Sequence, residues 1–389
     1  MPTHVIDDAW LHSYATLALR IDRHLSAAGG TALIYDGPSE WRAAVAGEEP
    51  VPPARLAEEC EALRQRIPVD GERGRFLSAQ LTAMRATALQ LGGADVPFAE
   101  HARQCLGVPI EPAPEALFDE AHSRLAAALP PGPGSPAERL HAWQQAHTVP
   151  ADRLQELARR AIAETVARTR SIVGLPDEVH VGVRLDPGPH RGHYAGEAAG
   201  TLYLSNAQPF NGADLLYVVA HEGFPGHIAE SLLKEVHLAQ RPEHRIRFMI
   251  SPPFVVSEGL GLHAQEIAFP GDEAQRWLGD ELGIGVDGSD LAAIHDARNV
   301  LWGAWGNAAL LVAEGRPDAD VAGYLTRWGL LTEAESAYAL GLLRSPAMRA
   351  YVLGYFHGWR LLRSWLDHPE RTARVRRLLT EPMLPADLV

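Results

Sequence analysis

The chain is poor in cysteine and lysine, and it lacks long apolar runs. Its 389 residues contain two cysteines, Cys60 and Cys105, and one lysine, Lys234, among 35 basic residues. Because the cysteines form no close-spaced pair, they exclude a disulfide framework and a thiolate zinc site. No segment reaches the ~18 consecutive apolar residues that a membrane-spanning helix needs. We therefore expect no membrane partner.

The charge of the chain is unbalanced toward acid. Asp and Glu number 49 against 35 Lys and Arg, which gives a net charge of −14 and a pI of about 5.7. Such a surface repels phosphate backbones, so nucleic acid is not expected as a partner. Residues 1–8 lack the basic start and apolar run of a secretory signal. We expect a cytoplasmic protein, and its oligomeric state is not indicated.

The composition is otherwise that of a globular protein. Hydrophobic residues make up 46% of the chain and charged residues 22%, enough for a sizeable core. The length fits one large domain or two closely associated ones. Apolar residues recur at helical spacing along most of the chain. We predict a mainly α, multi-helix protein, with early helices over residues 8–29, 54–67 and 74–92.

A run of helix-breaking residues divides this helical pattern. Residues 129–134, Leu-Pro-Pro-Gly-Pro-Gly, form the richest such run. Directly after it, Ser135 and Glu138 predict a capping box at a helix start, with a proline in the first turn. We predict an N-terminal helical subdomain over residues 1–130 and a helical catalytic subdomain over residues 135–389, both within one continuous domain.

Two segments between residues 178 and 206 alternate apolar and polar residues as strands do. They cover residues 178–185 and 200–205, and a loop with two histidines and several glycines joins them. We predict a small β-sheet or hairpin here, beside the helix described next. The edge of such a sheet can bind an extended substrate through main-chain hydrogen bonds. A plain hairpin packed on helices explains the pattern equally well.

The most informative segment is residues 221–227, His-Glu-Gly-Phe-Pro-Gly-His, which follows an apolar helical run. Two imidazoles flank a carboxylate, and neutral imidazoles with carboxylates are the ligands of catalytic zinc. In the zinc motif H-E-x-x-H the two histidines are four residues apart and share one helix face. Here they are six residues apart, so the spacing decides whether they can bind one ion.

The six-residue spacing requires a break in the helix. On a regular helix, the second histidine would lie roughly 120° around the axis from the first. Pro225 lacks a backbone N–H and clashes with the carbonyl of His221, and Gly226 adopts conformations closed to other residues. We predict that the backbone leaves helical geometry at this pair and brings His227 back toward His221. The alternative is a helix that ends at Glu222, with His227 incidental.

These residues predict a site for one zinc ion per chain. His221 and His227 would supply two ligands, Glu258 the third, and water the fourth position that catalytic zinc leaves open. Glu222 would act as the general base and take a proton from the zinc-bound water. Two alternatives remain. Glu230 shares a helix face with His227 and rivals Glu258 as the ligand, and Glu258 could instead be an acid placed at a helix N-terminus.

The motifs resemble a bacterial family called domain of unknown function 885, whose members show H-E-x-x-P-G-H followed by E-G-W-x-x-Y-x-E. Residues 258–266 have the sequence E-G-L-G-L-H-A-Q-E. Residues 200–205 resemble the family's strand before the metal helix, and residues 351–354 its C-terminal Y-x-x-G. By order of motifs the similarity covers residues 60–365. It implies a zincin-like, gluzincin-type helical fold related to helical zinc metallopeptidases, and it favours Glu258 as the third ligand.

The sequence departs from the family pattern around the expected substrate pocket. The family often has a histidine directly after the motif, where this chain has Ile228, and an aromatic residue after E-G, where it has Leu260. An R-x-x-x-D segment survives only as Arg298, with Trp302 at the Asp position. The metal residues are kept while their surroundings differ, which favours a divergent specificity.

Further candidates surround the expected metal site. Tyr351 and Tyr355 are four residues apart, and a phenol there could donate to a developing oxyanion. The resemblance favours Tyr351 in this role, with simple packing as an equal alternative. Glu266 falls close to the helix face of Glu258 and is predicted to accept a hydrogen bond from a ligand imidazole. Substrate contacts are predicted for Tyr203, His263, Arg298 and Tyr355.

Together these features predict a zinc-dependent hydrolase that cleaves an amide or peptide bond of a small molecule or short peptide. The changed pocket positions motivate an alternative, a metal-dependent enzyme of small-molecule metabolism that performs non-peptide hydrolysis or rearrangement on the same fold. A third possibility is a non-catalytic metal-binding homologue. The presence of both histidines and both glutamates disfavours it, because a chain that has lost activity often loses the base or a ligand.

Overall fold

The structure is a computed structural model that describes residues 6–286 and 288–389. It is mainly helical, with 66% of the chain in helix, which confirms the predicted mainly α class. The α-helices have the following bounds: α1 Asp8–Ala27, α2 Ser39–Gly47, α3 Pro53–Arg64, α4 Gly71–Leu91, α5 Phe98–Leu106, α6 Glu115–Ala128, α7 Pro136–Ala146, α8 Ala151–Ile172, α9 Leu215–Glu222, α10 His227–His237, α11 Pro252–Ala268, α12 Glu273–Leu282, α13 Leu291–Val300, α14 Trp302–Ala313, α15 Asp318–Gly329, α16 Glu333–Arg344, α17 Pro346–Tyr351, α18 Leu353–Leu366 and α19 Arg371–Thr380.

Short strands form three small sheets between the helices in the described part of the chain. The strand bounds are β1 Leu33–Tyr35, β2 Thr148–Val149, β3 His180–Asp186, β4 Arg191–Gly196, β5 Ala199–Ser205, β6 Phe210–Asn211 and β7 Ile246–Phe248. In the first sheet β1 pairs with β7, and in the second β2 pairs with β6, both antiparallel. The third sheet has the strand order β3-β5-β4.

Several helices begin where local sequence signals place them. Asp7 precedes α1, and its carboxylate accepts the backbone N–H of Trp10 at 2.7 Å, which satisfies one of the free N–H groups of the first turn. Ser135 and Glu138 form the predicted capping box before α7, since each side chain accepts the backbone N–H of the other residue. In the described part of the chain, no helix combines the length and apolarity needed to cross a bilayer.

The three-stranded sheet differs from the predicted hairpin. β3 and β5 lie parallel, in register from His180 opposite Ala199 to Asp186 opposite Ser205. The segment predicted as a loop between them forms β4, which pairs antiparallel with β5 at an edge of the sheet. The sequence of β4, Arg-Gly-His-Tyr-Ala-Gly, contains two glycines and few apolar side chains, so its period-two pattern is too weak to predict a strand.

The apolar core continues across residue 130. Helices α1, α3 and α4 pack in one buried cluster with Ile246 and Phe248 of β7. Arg73 of α4 donates two hydrogen bonds, at 2.7 and 2.8 Å, to the buried carboxylate of Glu243. Helix α6, which ends just before the helix-breaking run, packs in a second cluster with α13. The helices before residue 130 thus share their cores with the rest of the chain.

Two helices that carry predicted site residues cross at glycines. α11 contains Glu258 and α18 contains Tyr355. A Cβ on Gly259 would lie 2.5 Å from the carbonyl oxygen of Gly358, and a Cβ on Gly358 would lie 2.1 Å from that of Val255. Because no other residue type permits this approach, the glycine pair sets the distance at which Tyr355 faces Glu258.

Candidate metal centre

The segment 221–227 folds as two helices with a sharp break between them, as predicted. α9 ends at Glu222 and α10 begins at His227. The Gly226 N–H donates to the Ala220 carbonyl at 2.9 Å, and a Cβ on Gly226 would lie 1.8 Å from the His221 carbonyl oxygen. Only glycine can lie this close to the end of α9. As a result, the ring centroids of His221 and His227 are 4.8 Å apart.

Glu258 of α11 faces both imidazoles. Its Oε1 lies 3.4 Å from His227 Nε2, and its Oε2 lies 3.4 Å from His221 Nε2. The residue is 2% exposed. Its Oε2 accepts no hydrogen bond of good geometry from the described residues, although buried carboxylate oxygens are ordinarily bonded. Side chains from three helices, α9, α10 and α11, therefore converge on one interior point.

The charges in this cluster are coupled. Burial alone would raise the pKa of Glu258, but the imidazoles of His227 and His221 hold that pKa well below its usual range. Burial alone would lower the pKa of His227, but the Glu258 carboxylate outweighs it and raises that pKa to about 9. Glu258 is therefore ionised, and it draws positive charge to the point between the two rings.

Glu222 lies at the edge of the same cluster and is held by the sheet. Its Oε2 accepts the backbone N–H of Gly192 in β4 at 2.8 Å, and its Oε1 lies 4.0 Å from His221 Nε2. A Cβ on Gly192 would lie 2.0 Å from the Glu222 carbonyl oxygen, so β4 can reach the end of α9 only with glycine here. Single donor atoms of His221, Glu222 and His227 lie within 4.8 Å of one another.

Glu230, the rival third ligand, approaches the other side of the His227 ring. Its carboxylate accepts hydrogen bonds from Ser257 Oγ and from Lys234 Nζ, the latter at 2.5 Å. Ser257 Oγ lies 3.2 Å from His227 Nδ1. Glu230 therefore meets His227 through Ser257 and at Nδ1, whereas Glu258 meets it directly at Nε2. This geometry favours Glu258 over Glu230 as a ligand.

The donor set fits the preferences of zinc. Two imidazole nitrogens and a carboxylate are a common ligand set of catalytic zinc, and the unpartnered Oε2 of Glu258 is a buried charge that a cation would satisfy. The surroundings also leave space for the His221 ring, because a Cβ on Gly261 would lie 2.6 Å from it. His221, His227 and Glu258 are thus the residues that would hold the ion.

Tyr351 and Tyr355 lie against this cluster where α17 meets α18. The Tyr351 hydroxyl donates to Glu258 Oε1. The Tyr355 ring stacks on Trp302 with centroids 4.3 Å apart, and it lies 6.5 Å from the His221 ring. Burial, with the Glu258 charge second, raises the pKa of both phenols well above their usual range. Both tyrosines therefore keep their protons at neutral pH and can act as donors.

Arg298 belongs to a second polar cluster, two helical turns earlier along α9. Its Nη1 donates to Asp214 Oδ1 at 2.6 Å, and His295 Nε2 lies 2.9 Å from the same oxygen. Burial alone would raise the pKa of Asp214, but Arg298 and His295 together hold it well below its usual range. Arg298 is therefore already paired with a carboxylate of the protein, a partner that the prediction of a substrate contact did not include.

Two other predicted substrate-binding residues, Tyr203 and His263, have partners within the protein. Tyr203 of β5 packs under the Arg191 guanidinium, whose central carbon is 3.9 Å from the ring centroid. His263 Nε2 lies 3.0 Å from the carbonyl oxygen of Trp359, and burial lowers the pKa of His263. His263 is therefore a neutral histidine bonded to the backbone of α18, Tyr203 packs against Arg191, and the predicted substrate contacts of both residues stay predictions.

Glu266 does not occupy the position predicted for it. Its Oε2 accepts the Gly271 N–H at 3.2 Å, and its Oε1 lies 3.4 Å from Arg371 Nη1. These partners hold the side chain at the C-terminal end of α11, two turns beyond Glu258, where it is 45% exposed. The residue that meets the His227 imidazole is Ser257 instead, because the break between α9 and α10 aims His227 Nδ1 at α11.

A cleft of about 760 Å³ lies at the first turn of α9, and His190, Asp214 and Tyr217 are among its lining residues, whereas His221, Glu222, His227 and Glu258 are not. Because Asp214, Tyr217 and His221 are spaced by three and four residues, they lie on one helix face. His190 Nδ1 accepts the Ser205 N–H at 3.0 Å, and burial lowers the pKa of His190. The proton of this neutral ring is therefore on Nε2, where it can serve as a donor.

Sequence reasoning missed Ser257, Gly192 and His190 because only tertiary contacts bring them to the site. The sequence contained one signal for the residues that Ser257 contacts. Lys234 lies four residues after Glu230, and opposite charges at this spacing predict an ion pair on one helix face. The chain contains no other lysine, which makes the pair recognisable in the sequence.

Comparisons with protein-family models and with curated proteins give no match. Two solved structures share the fold. A "putative lipoprotein" from Colwellia psychrerythraea has a TM-score of 0.58 at 14% identity, over 86% of this chain and 65% of that chain. A "putative lipoprotein of unknown function" from Shewanella oneidensis has a TM-score of 0.52 at 12% identity, over 94% of this chain and 68% of that one. This chain thus spans about two thirds of the length of either neighbour.

At this level of identity the likeness shows the fold alone. The resemblance to the family of domain of unknown function 885, the cytoplasmic location and the expected partners therefore stay predictions.

Proposed function

We propose that the protein is a zinc-dependent hydrolase of the zincin-like type, which cleaves an amide or peptide bond in a small molecule or short peptide. The observation that carries the proposal is the position of Glu258. Its two oxygens each lie 3.4 Å from a different imidazole Nε2, of His221 and of His227, in the protein interior. Two imidazoles and one carboxylate support one zinc ion per chain.

The neighbouring side chains suit hydrolysis. A zinc ion held there would supply a Lewis acid and lower the pKa of a bound water toward ~7. Glu222 is the proposed base, because the Gly192 N–H fixes its Oε2 while its Oε1 faces the cluster and can accept a proton. The Tyr355 hydroxyl is proposed to donate to the substrate oxygen on which negative charge develops. The Tyr351 hydroxyl, whose one proton bonds Glu258 Oε1, is proposed to turn that proton to the same oxygen when the substrate is bound.

The cleft favours a short substrate. Asp214 lies seven residues before His221, which corresponds to about 10 Å of helix. Roughly three extended residues would cover that distance. The stacked rings of Trp302 and Tyr355 offer an apolar wall beside the imidazoles. Asp214 and Arg298 line the cleft, and a substrate that extends from the imidazoles to this cleft would have a polar terminus and an apolar body.

One observation favours the alternative of a non-peptide substrate. The Gly192 N–H, the main-chain donor of β4 at the cluster, is already bonded to Glu222. An extended peptide that paired with this part of the edge strand would compete with that bond and release the proposed base. A small molecule bound by side chains alone would leave it in place. Both candidates use the same metal site and the same base.

Zinc-loaded protein incubated with a library of short peptides and with small N-acyl amides tests the proposal. We expect hydrolysis of members up to about three residues long, measured by mass spectrometry, and loss of that activity on chelation with recovery on addition of zinc. Cleavage restricted to amides that contain no peptide bond would favour the alternative. If the zinc-loaded protein hydrolyses neither set, the proposed hydrolase function is wrong.

A further inference from the structure

A chain of hydrogen bonds leads from the proposed metal ligand His227 to Lys234. His227 Nδ1 lies 3.2 Å from Ser257 Oγ. Ser257 Oγ donates to Glu230 Oε2, and Lys234 Nζ donates to Glu230 Oε1 at 2.5 Å. Ser257 and Glu230 are 6% and 7% exposed. Ser257 and Glu230 are therefore part of the interior, Lys234 is half-buried beside them, and no role in the proposed reaction uses these three residues directly.

The direction of each bond in this chain follows from counting protons. A carboxylate paired with an ammonium group is an acceptor only, so Glu230 must receive the Ser257 proton. A hydroxyl has one proton, and Ser257 has therefore none left for His227. Its oxygen can only accept, which requires a proton on His227 Nδ1. The other ring nitrogen, Nε2, is then the one whose lone pair can face the point next to Glu258.

We propose that Ser257, Glu230 and Lys234 are positioning residues that fix the proton of His227 on Nδ1 and thereby present Nε2 to the metal. The proposal rests on the proposed function for the identity of the ligand. In many metal sites a carboxylate accepts a hydrogen bond from the ligand imidazole and orients it. Here Glu230, paired with Lys234, would act in the same way, but through Ser257 of another helix. Since Ser257 directly precedes Glu258, one turn of α11 orients one ligand and supplies another.

Ser257→Ala tests the proposal by removing the acceptor of the Nδ1 proton. We expect zinc affinity, measured by competition with a chromophoric chelator, to fall by about 10- to 100-fold, the usual effect of losing such a partner. Ser231→Ala is the matched control. Its hydroxyl donates to the backbone oxygen of His227 at 2.8 Å and does not bond the ring. The control variant should keep wild-type affinity.

A second readout follows the ring itself. Long-range 1H–15N spectra distinguish protonated, bare and metal-bound nitrogens of an imidazole. In the wild-type protein we expect His227 Nδ1 to carry a proton in the metal-free form above about pH 9, where the ring keeps one proton, and also with zinc bound, and we expect Nε2 to be the nitrogen that shifts on zinc addition. Coordination through Nδ1, or a bare Nδ1 in the metal-free protein, would overturn the proposal. General destabilisation of the fold would not exchange the two nitrogens.

Glu230→Gln keeps the proposal testable if Ser257→Ala fails to fold. A carboxamide can donate as well as accept, so Ser257 is no longer forced to donate its proton to residue 230. We therefore expect a smaller loss of zinc affinity than in Ser257→Ala, and a mixture of the two tautomers of His227. Wild-type affinity and an unchanged ring spectrum in this variant would count against the proposal. If the wild-type protein takes up no zinc, the proposed function fails, while the metal-free spectrum recorded above about pH 9, where His227 keeps a single proton, still decides the position of that proton.

Discussion

Two buried polar clusters lie on the same face of α9, and they differ in how their charges are satisfied. At the start of the helix, the Asp214 carboxylate accepts from Arg298 and lies 2.9 Å from His295 Nε2. At its end, Glu258 lies between two imidazoles with one oxygen unpartnered among the described residues. In the first cluster, the buried atom without a hydrogen-bond partner among the described residues is His295 Nδ1, which belongs to a neutral ring.

The difference separates a structural cluster from a proposed metal site. Arg298 carries a permanent charge, so the Asp214 cluster is neutral without any bound ion. The second cluster contains two carboxylates, of Glu222 and Glu258, and its imidazoles gain positive charge only by taking protons. A bare carboxylate oxygen in the interior is also costlier than an unbonded neutral nitrogen. Both clusters contain histidine and carboxylate side chains, and the balance between their positive and negative charges distinguishes them.

The largest effect of a substitution is expected on turnover and at Glu222, a residue with no counterpart in the Asp214 cluster. Glu222→Gln should reduce turnover by at least ~10²-fold, because it removes the proposed base, and it should leave zinc content near the wild-type value. Steady-state kinetics and metal analysis of the same sample check this. Glu178→Gln, at an exposed position, is the control. Full activity of Glu222→Gln would show that the assigned role is wrong.

Removing a carboxylate should have opposite consequences in the two clusters. Asp214→Asn leaves Arg298 without its partner, and we expect a loss of roughly 2 to 3 kcal/mol in the free energy of unfolding, below the value for a fully buried pair because Arg298 is partly exposed. Glu258→Gln should cost less in the metal-free protein, since His227 can release its proton, but it should lose much of the zinc affinity. Denaturant titrations and chelator competition on both variants measure these changes.

Loss of zinc in Asp214→Asn together with retention of zinc in Glu258→Gln would contradict the assignment of the two clusters. In that case the first cluster would be the metal site, and the charge argument would be wrong.

A smaller effect is expected for the phenol that bonds Glu258. Tyr351→Phe should keep zinc and lower turnover by about tenfold, which corresponds to one hydrogen bond to a charged group. Tyr355→Phe, measured beside it, decides which hydroxyl donates to the substrate oxygen. Tyr324→Phe is the control, because the Tyr324 hydroxyl bonds Asn307 at 2.9 Å in another part of the core. Equal activity of Tyr351→Phe and wild type would exclude the proposed donor role.

At neutral pH the smallest effect is expected for a histidine outside both clusters. His101 has no carboxylate partner among residues 6–286 and 288–389, and burial lowers its pKa from 6.5 to about 4. Between these values the unfolded chain binds a proton that the folded chain does not, so stability should fall as pH decreases from about 6.5 to about 4. The slope for one such group is at most about 1.4 kcal/mol per pH unit. His101→Phe should flatten the pH dependence of the melting temperature, and an unchanged slope would contradict the assignment.

The sequence alone predicted elements whose signals are local. The capping box of Ser135 and Glu138 and the break at Pro225 and Gly226 depend on residues a few positions apart, and both are present. Strand β4 was missed because glycines remove the alternating pattern. Its Gly192 is needed where β4 approaches α9, so the residue that obscures the strand in the sequence is the one that the site requires.

Roles that depend on tertiary contacts could not be predicted in the same way. Helical spacing alone suggested Glu266 as the partner of a ligand imidazole, because it ignores where α11 ends and what surrounds it. Ser257 takes that position since the break before α10 sets the direction of His227. Arg298 was recognised as important by its motif, but its pairing with Asp214, 84 residues earlier, is visible only in the fold.

The most direct test of the account is the zinc content of protein purified without chelator or reconstituted with zinc, measured by elemental analysis. The account predicts one zinc ion per chain in the wild-type protein, and a large loss in His227→Ala. A protein that is metal-free as purified and takes up no zinc on reconstitution would contradict it.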